Sequence, residues 1–264
     1  MSAHGLLHLQ IETLTRQIEQ NTNNAQLYFR RAELHRQHQD ALAAAADYDR
    51  VAKLDPGLAA VDLGRGRLLS DLGRLAEAKG RLDRYLEKVP DDSEGLLARA
   101  RVLARLGEGQ AAANDFARAI ALSPDPQPDY YLERSQALMA QGDSAVALAG
   151  LEEGIAKLGS LLTLQQAALE IEIATQKLDA ALRRLDVIVA QVPRKEQWLA
   201  KKADLLLQMG RRAEAAETYR AATAAIQALP PRLRENPSIV QLQNRIEAAL
   251  KLLAANAATG TTAK

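Results

Sequence analysis

The chain of 264 residues has no cysteine, which excludes disulfides, thiolate metal sites and a cysteine nucleophile, and leaves the redox compartment open. It also has no excess of one charge: 34 Lys and Arg stand against 33 Asp and Glu, a formal net charge of +1. A dedicated phosphate-backbone binder carries its positive excess openly, so this balance disfavours nucleic acid as the partner. Long apolar runs are missing as well, because Arg, Lys, Glu or Gln interrupts every candidate before the roughly 18 residues that a membrane-spanning helix needs. Met1 to Gln10 has no basic region followed by an apolar block, so no intact secretory signal is expected there. The glycines are isolated, so no Gly-rich phosphate loop is present. Aromatic residues make up only 3%, yet apolar residues reach 47%, enough to bury a core and too much for a disordered chain.

What the sequence does have is a period. Gln39, Gly73, Gly107, Gly142, Gln176 and Gly210 fall 34, 34, 35, 34 and 34 residues apart, each where one helical pattern gives way to the next. The small residues Ala32, Gly66, Ala100, Ser135 and Ala203 keep the same phase, with Leu169 as the exception. A second small column, Ala44, Ala78, Ala112, Ala147, Ala181 and Ala215, is unbroken. Four positions later, one helical turn onward on the same face, come the large residues Tyr48, Leu82, Phe116, Leu151, Leu185 and Tyr219. Pro56, Pro90, Pro124 and Pro193, with Gly159 between them, close the second helix of each unit.

These columns resemble the tetratricopeptide repeat family, whose 34-residue helix-turn-helix units carry small residues, an aromatic and a terminal proline at this spacing. The resemblance covers residues 25–229. It implies an all-α fold, a right-handed α-solenoid of six units (25–58, 59–92, 93–126, 127–161, 162–195 and 196–229). Departures are Leu169 in a small-residue column, Gln227 in place of the last proline, and one residue inserted near Pro126 to Pro128. Two helices of about 14 residues are too short to stand alone in water, so the units must stack and the ends need caps. Leu7, Ile11, Leu14 and Ile18 form an apolar stripe that predicts an N-terminal capping helix within residues 1–24. Asn236 followed by Pro237 reads as an N-cap and first helical residue, and Ile239, Leu242, Ile246, Leu250 and Leu253 predict a C-terminal cap within 230–254. Residues 255–264 read as a disordered tail. Ser2-Ala3-His4-Gly5 resembles the trimmed start of exported bacterial repeat proteins, so the compartment is left open between the cytoplasm and, if these residues are a signal remnant, the bacterial periplasm.

Catalytic chemistry is hard to assemble from the remaining residues. His4, His8, His35 and His38 cluster near the N-terminus and raise a metal site, or a metal-dependent enzyme, as an alternative. Against it, His35 occupies a column filled elsewhere by Leu69, Leu103, Leu138 and Leu206, and no carboxylate at a matching offset completes a ligand set. No Ser or Thr has a His or Lys partner that the repeat geometry brings near it. The expectation is a protein without catalytic activity, cofactor or metal.

The resemblance implies that the first helix of each unit lines a concave groove where ligands lie. Following the phase, the groove is expected to be formed by Phe29, Leu63, Arg67, Leu97, Arg101, Arg105 and Leu132, an apolar strip edged with guanidinium groups that could fork onto a carboxylate. Units five and six present Glu170 and Asp204 instead. A second set, Arg31, Arg65, Arg99, Arg134 and Lys202, recurs with Asp49, Asp83 and Asp186 and reads as a structural ion-pair ladder. The chaperone-tail clamp of some family members is absent, because its places hold Phe29, Glu33, Gly64, Glu94 and Ala98, of which the two glutamates would repel a carboxylate. The expected function is a scaffold or adaptor that binds an unidentified protein or peptide. An RNA-binding repeat of the pentatricopeptide kind is the alternative, with a 35-residue period and a basic groove that this chain does not match.

Overall fold

The structure, a computed structural model, describes residues 3–260, which form fifteen α-helices and no strand. Six helix pairs follow the period: α2 (Ala25–Gln37) with α3 (Ala41–Leu54), α4 (Ala60–Asp71) with α5 (Leu75–Lys88), α6 (Ser93–Arg105) with α7 (Gly109–Leu122), α8 (Pro128–Met139) with α9 (Ser144–Leu158), α10 (Leu162–Ala174) with α11 (Leu178–Gln191), and α12 (Glu196–Gln208) with α13 (Arg212–Gln227). Helix α1 (Ala3–Gln20) precedes them, and the single turn α14 (Pro231–Arg234) and α15 (Pro237–Gly260) follow. The chain divides into two compact units, residues 1–150 and 151–264.

Local chemistry starts and stops these helices. Asn24, Asp40 and Asp92 accept hydrogen bonds from the backbone N–H groups of Gln26, Ala43 and Gly95 at 3.1, 3.1 and 2.7 Å, satisfying donors that a helix start leaves orphaned. Asn236 does the same for Ser238 at 3.0 Å, ahead of Pro237. The turn column adopts the left-handed conformation throughout, from Gly107 at φ +81° to Gln39 and Gln176 at +63° and +58°. Glycine takes that conformation freely, whereas the two glutamines occupy it against a penalty from their Cβ atoms.

In the first unit, Tyr85, Leu86, Leu96, Leu97, Phe116 and their neighbours form one buried cluster, and Ala32, Ala44, Tyr48, Val51, Val61 and Leu68 form another. The second unit has its own clusters, one on Leu169, Leu185 and Ile188 and one on Tyr219, Ile226, Ile239 and Ile246. Small and large columns interlock in these layers. Ala44, Ala78, Ala112, Ala181 and Ala215 are wholly buried, each one turn from its large partner. Gly64 shows how close the fit is, since a Cβ there would lie 2.5 Å from Cε1 of Tyr48.

Helix α1 begins at Ala3 and lies within the 1–24 expected for the N-terminal cap. Helix α15 carries the predicted apolar stripe but continues through Gly260, so the tail expected from residue 255 begins inside the helix, and its last residues, 261–264, lie outside the described residues.

Candidate functional site

In the first unit the first helices of successive repeats, α2, α4, α6 and α8, are joined by arginines. Arg36 on α2 reaches Asp71 on α4 at 2.9 Å and Glu33 at 3.3 Å. Arg67 on α4 reaches Glu94 on α6 at 2.8 Å, and Arg101 on α6 takes Glu133 on α8 bidentately at 2.8 and 3.1 Å. Arg105 donates to the carbonyl and hydroxyl of Ser70, both at 2.9 Å. Arg67 and Arg101 line a shallow cavity of about 220 Å³. The expected free guanidinium forks are thus partly engaged, because neighbouring helices stand close enough for an extended arginine to reach the next carboxylate. The hydrogen bond from Arg101 to Glu133 holds that guanidinium above its ordinary value.

The apolar members of the expected groove differ in exposure. Leu97 is 3% exposed and belongs to the core with Tyr85 and Phe116, and Leu63 is half-buried against the same cluster. Leu132 is half-buried on α8. Accessible apolar surface lies instead between α1 and α2, where Leu9, Leu14, Phe29 and Leu34 line a groove of about 580 Å³ edged by Arg30 and Glu33. The Phe29 ring stands 6.1 Å from that of Tyr48, and Leu6 and Leu9 are about half exposed. Leu6 and Leu9 fall outside the predicted stripe of Leu7, Ile11, Leu14 and Ile18, which is the signal in the sequence for further apolar surface on this helix.

Two acidic residues of the column that holds Arg67 and Arg101, Glu33 and Asp204, have a structural use. Tyr48 donates its hydroxyl to Glu33, and Tyr219 donates to Asp204, which also pairs with Arg245 at 3.2 Å. Burial pushes both phenols above their ordinary value, and the adjacent carboxylates push them further. Where the large column holds Leu82 or Phe116, which have no hydroxyl to satisfy, the corresponding first-helix residues are Arg67 and Arg101.

The second arginine set forms the expected ladder. Arg31 takes Asp47 bidentately at 2.7 Å and Thr15 at 3.0 Å, Arg65 pairs with Asp49, and Lys202 with Asp186. Arg99 joins Asp115 at 2.7 and 2.9 Å to Asp83 at 2.9 Å. The corresponding place in the fifth pair is Ala168, and there Arg184 on the second helix substitutes, reaching Glu172 at 2.8 Å, Gln165 at 2.7 Å, and Glu152. Arg184, Asp47 and Asp115 were not singled out from the sequence. Their signal is an offset of 16 residues from the arginine column.

Of the histidines, His8 and His38 meet with Nε2 atoms 3.1 Å apart, and His35 lies 3.9 Å from Asp40. Among the described residues no three His, Asp or Glu side chains are grouped closely enough to hold a metal ion. No described helix is long and apolar enough to cross a membrane.

Residues 63–129, 97–160 and 199–228 match family models described as tetratricopeptide repeat. The chain is a tetratricopeptide repeat protein. No curated protein sequence matches it. Among solved structures it is similar to the C-terminal part of a TPR repeat-containing protein from Cytophaga hutchinsonii, with a TM-score of 0.66 and 15% identity over 88% of this chain and 92% of that one. A tetratricopeptide repeat protein from Parabacteroides merdae matches over 95% of this chain and 93% of its own, with a TM-score of 0.55 and 15% identity. PilW, a type IV pilus biogenesis factor, matches over 69% of this chain and 84% of its own, with a TM-score of 0.59 and 19% identity. At these identities the likeness is one of fold, an all-α repeat architecture.

Proposed function

We propose that the chain is a non-catalytic scaffold that holds a peptide segment of a partner protein on the first-helix face of residues 1–150. The open groove around Phe29 carries this reading: it offers a ring and three leucines to an apolar side chain at the edge of a face crossed by arginines. Arg105, held by Ser70 and by no carboxylate among the described residues, is the cation most available to an acidic residue of the peptide. Arg67 and Arg101 can join it, because Glu94 and Glu133 are partly solvated partners and such ion pairs contribute only about 0 to 1 kcal/mol, so exchanging one carboxylate for another costs little. Leu63 and Leu97 form the floor beneath this face, and Leu132 extends it along α8. The pairing of most face arginines leaves no continuous basic stripe, which gives the RNA-binding alternative no support.

A peptide library displayed on phage and selected with the full chain tests the proposal. Enriched sequences are expected to combine an aromatic or aliphatic residue with an acidic one. Phe29→Ala, and separately the triple change Arg67→Ala, Arg101→Ala and Arg105→Ala, should each weaken binding tenfold or more with helical content retained, and Arg65→Ala should not. Affinities unchanged by both sets of substitutions would remove the site from this face.

A further inference from the structure

The second unit has a cleft of about 600 Å³ between α12 and α15, lined by Trp198, Lys201 and Asp204 on one side and Ser238, Gln241 and Arg245 on the other. Trp198 is the only tryptophan of the chain. It is half-buried, with its ring packed against the Leu205 and Leu206 cluster and its remaining surface turned to the cleft. Asp204 is committed to the Tyr219 hydroxyl and to Arg245. Lys201 has no carboxylate partner among the described residues, unlike its neighbour Lys202, which pairs with Asp186. Two cations against one carboxylate leave the cleft one positive charge in excess, and that charge sits beside an indole.

From this arrangement we infer a second binding site, for an extended acidic peptide that places a carboxylate on Lys201 and an apolar side chain against Trp198. A lysine with no acid partner of its own can take an incoming carboxylate without giving up another, and an indole offers a large apolar surface with few rotamers to freeze. Gln197 and Gln241 supply side-chain amides that can pair with the N–H and C=O groups of an extended backbone. A single excess charge with Asp204 in the wall suits one carboxylate and not a run of phosphates. This site is separate from the face proposed above and does not depend on it.

The lone tryptophan makes the test direct, because its emission reports on this cleft and nowhere else. The full chain is titrated with the acetylated, amidated peptide Glu-Leu-Glu-Leu-Glu, with the counterpart in which Gln replaces each Glu, and with a five-residue oligothymidine. A saturable change of Trp198 emission is expected with the acidic peptide. It should weaken about tenfold or more with the Gln peptide and with Lys201→Met, and stay the same in Arg105→Ala. The Gln peptide needs no variant, so a folding defect in Lys201→Met leaves the test intact. No saturable change, equal binding of the two peptides, or tighter binding of the oligothymidine would overturn the inference.

Discussion

In the α6–α7 pair a cation leaves the first helix: Arg99 reaches forward to Asp115 on its own partner helix and back to Asp83 on the helix before. In the α10–α11 pair the first-helix place is Ala168, and the cation comes from the second helix, where Arg184 gathers Glu172, Gln165 and Glu152. Each arrangement puts one guanidinium where three helices meet, with acceptors from the two helices that do not carry it. One carboxylate of each is largely shut off from water, Asp115 at 5% and Glu172 at 3% exposure, while Asp83 and Glu152 remain partly exposed. What the stack requires is a cation at that place, with either helix able to provide it, and the acids move to match.

Removing the cation should therefore be costly in both pairs. Arg99→Leu and Arg184→Leu each leave a buried carboxylate unpaired, which destabilises by about 3 to 5 kcal/mol. Arg65→Leu should cost no more than about 1 kcal/mol, because its partner Asp49 is two-thirds exposed and can be solvated in place. Urea unfolding of the three variants checks the order. A loss for Arg65 equal to that for Arg184 would mean that burial of the acid does not set the worth of a rung.

A smaller and purely spectroscopic difference separates the tyrosines. Tyr85 donates to Asp92 at 2.8 Å, and burial together with that carboxylate pushes its phenol up to about 12, while Tyr48 and Tyr219 are raised further by burial beside Glu33 and Asp204. A raised value in the folded state means that the neutral phenol is favoured there. The stability these groups contribute is complete below about pH 10, the ordinary tyrosine value, and is lost as pH climbs through the folded values. Ultraviolet titration should show these three phenols ionising late, with Tyr48 and Tyr219 ionising only as the fold is lost. Ionisation of all six tyrosines near pH 10 with the helices intact would contradict the Tyr48–Glu33 and Tyr219–Asp204 pairs.

The repeat fold was legible in the sequence because it is written in residue size at fixed spacing: Ala44 beside Tyr48, Ala112 beside Phe116, a left-handed turn at Gly73 or Gly107. The structural ladder was legible in part, through Arg31, Arg65, Arg99 and Lys202. Its fifth rung was not, since Arg184 lies 16 residues beyond the column that holds the other cations. The candidate face was read less well. Phe29, Leu63, Leu97 and Leu132 share one column, yet Leu97 is enclosed by Tyr85 and Phe116 while Phe29 opens onto a groove, because burial depends on the neighbouring helices and not on the column. Arg67 and Arg101 appeared free because the reach of an arginine to Glu94 or Glu133 on the next helix leaves no mark in local spacing.

An ion-pair rung belongs to a place in the stack, and returning it to its usual helix tests this most directly. Arg184→Asp alone puts a third acid beside Glu172 and Glu152 and should be strongly destabilising. Adding Ala168→Arg restores the pattern of Arg99, with a first-helix cation between acids 16 residues before and after it. In a double-mutant cycle by urea unfolding, the combined variant should recover at least about 1 to 3 kcal/mol relative to the sum of the single changes. A double variant no more stable than additivity predicts would show that the rung is a property of Arg184 alone.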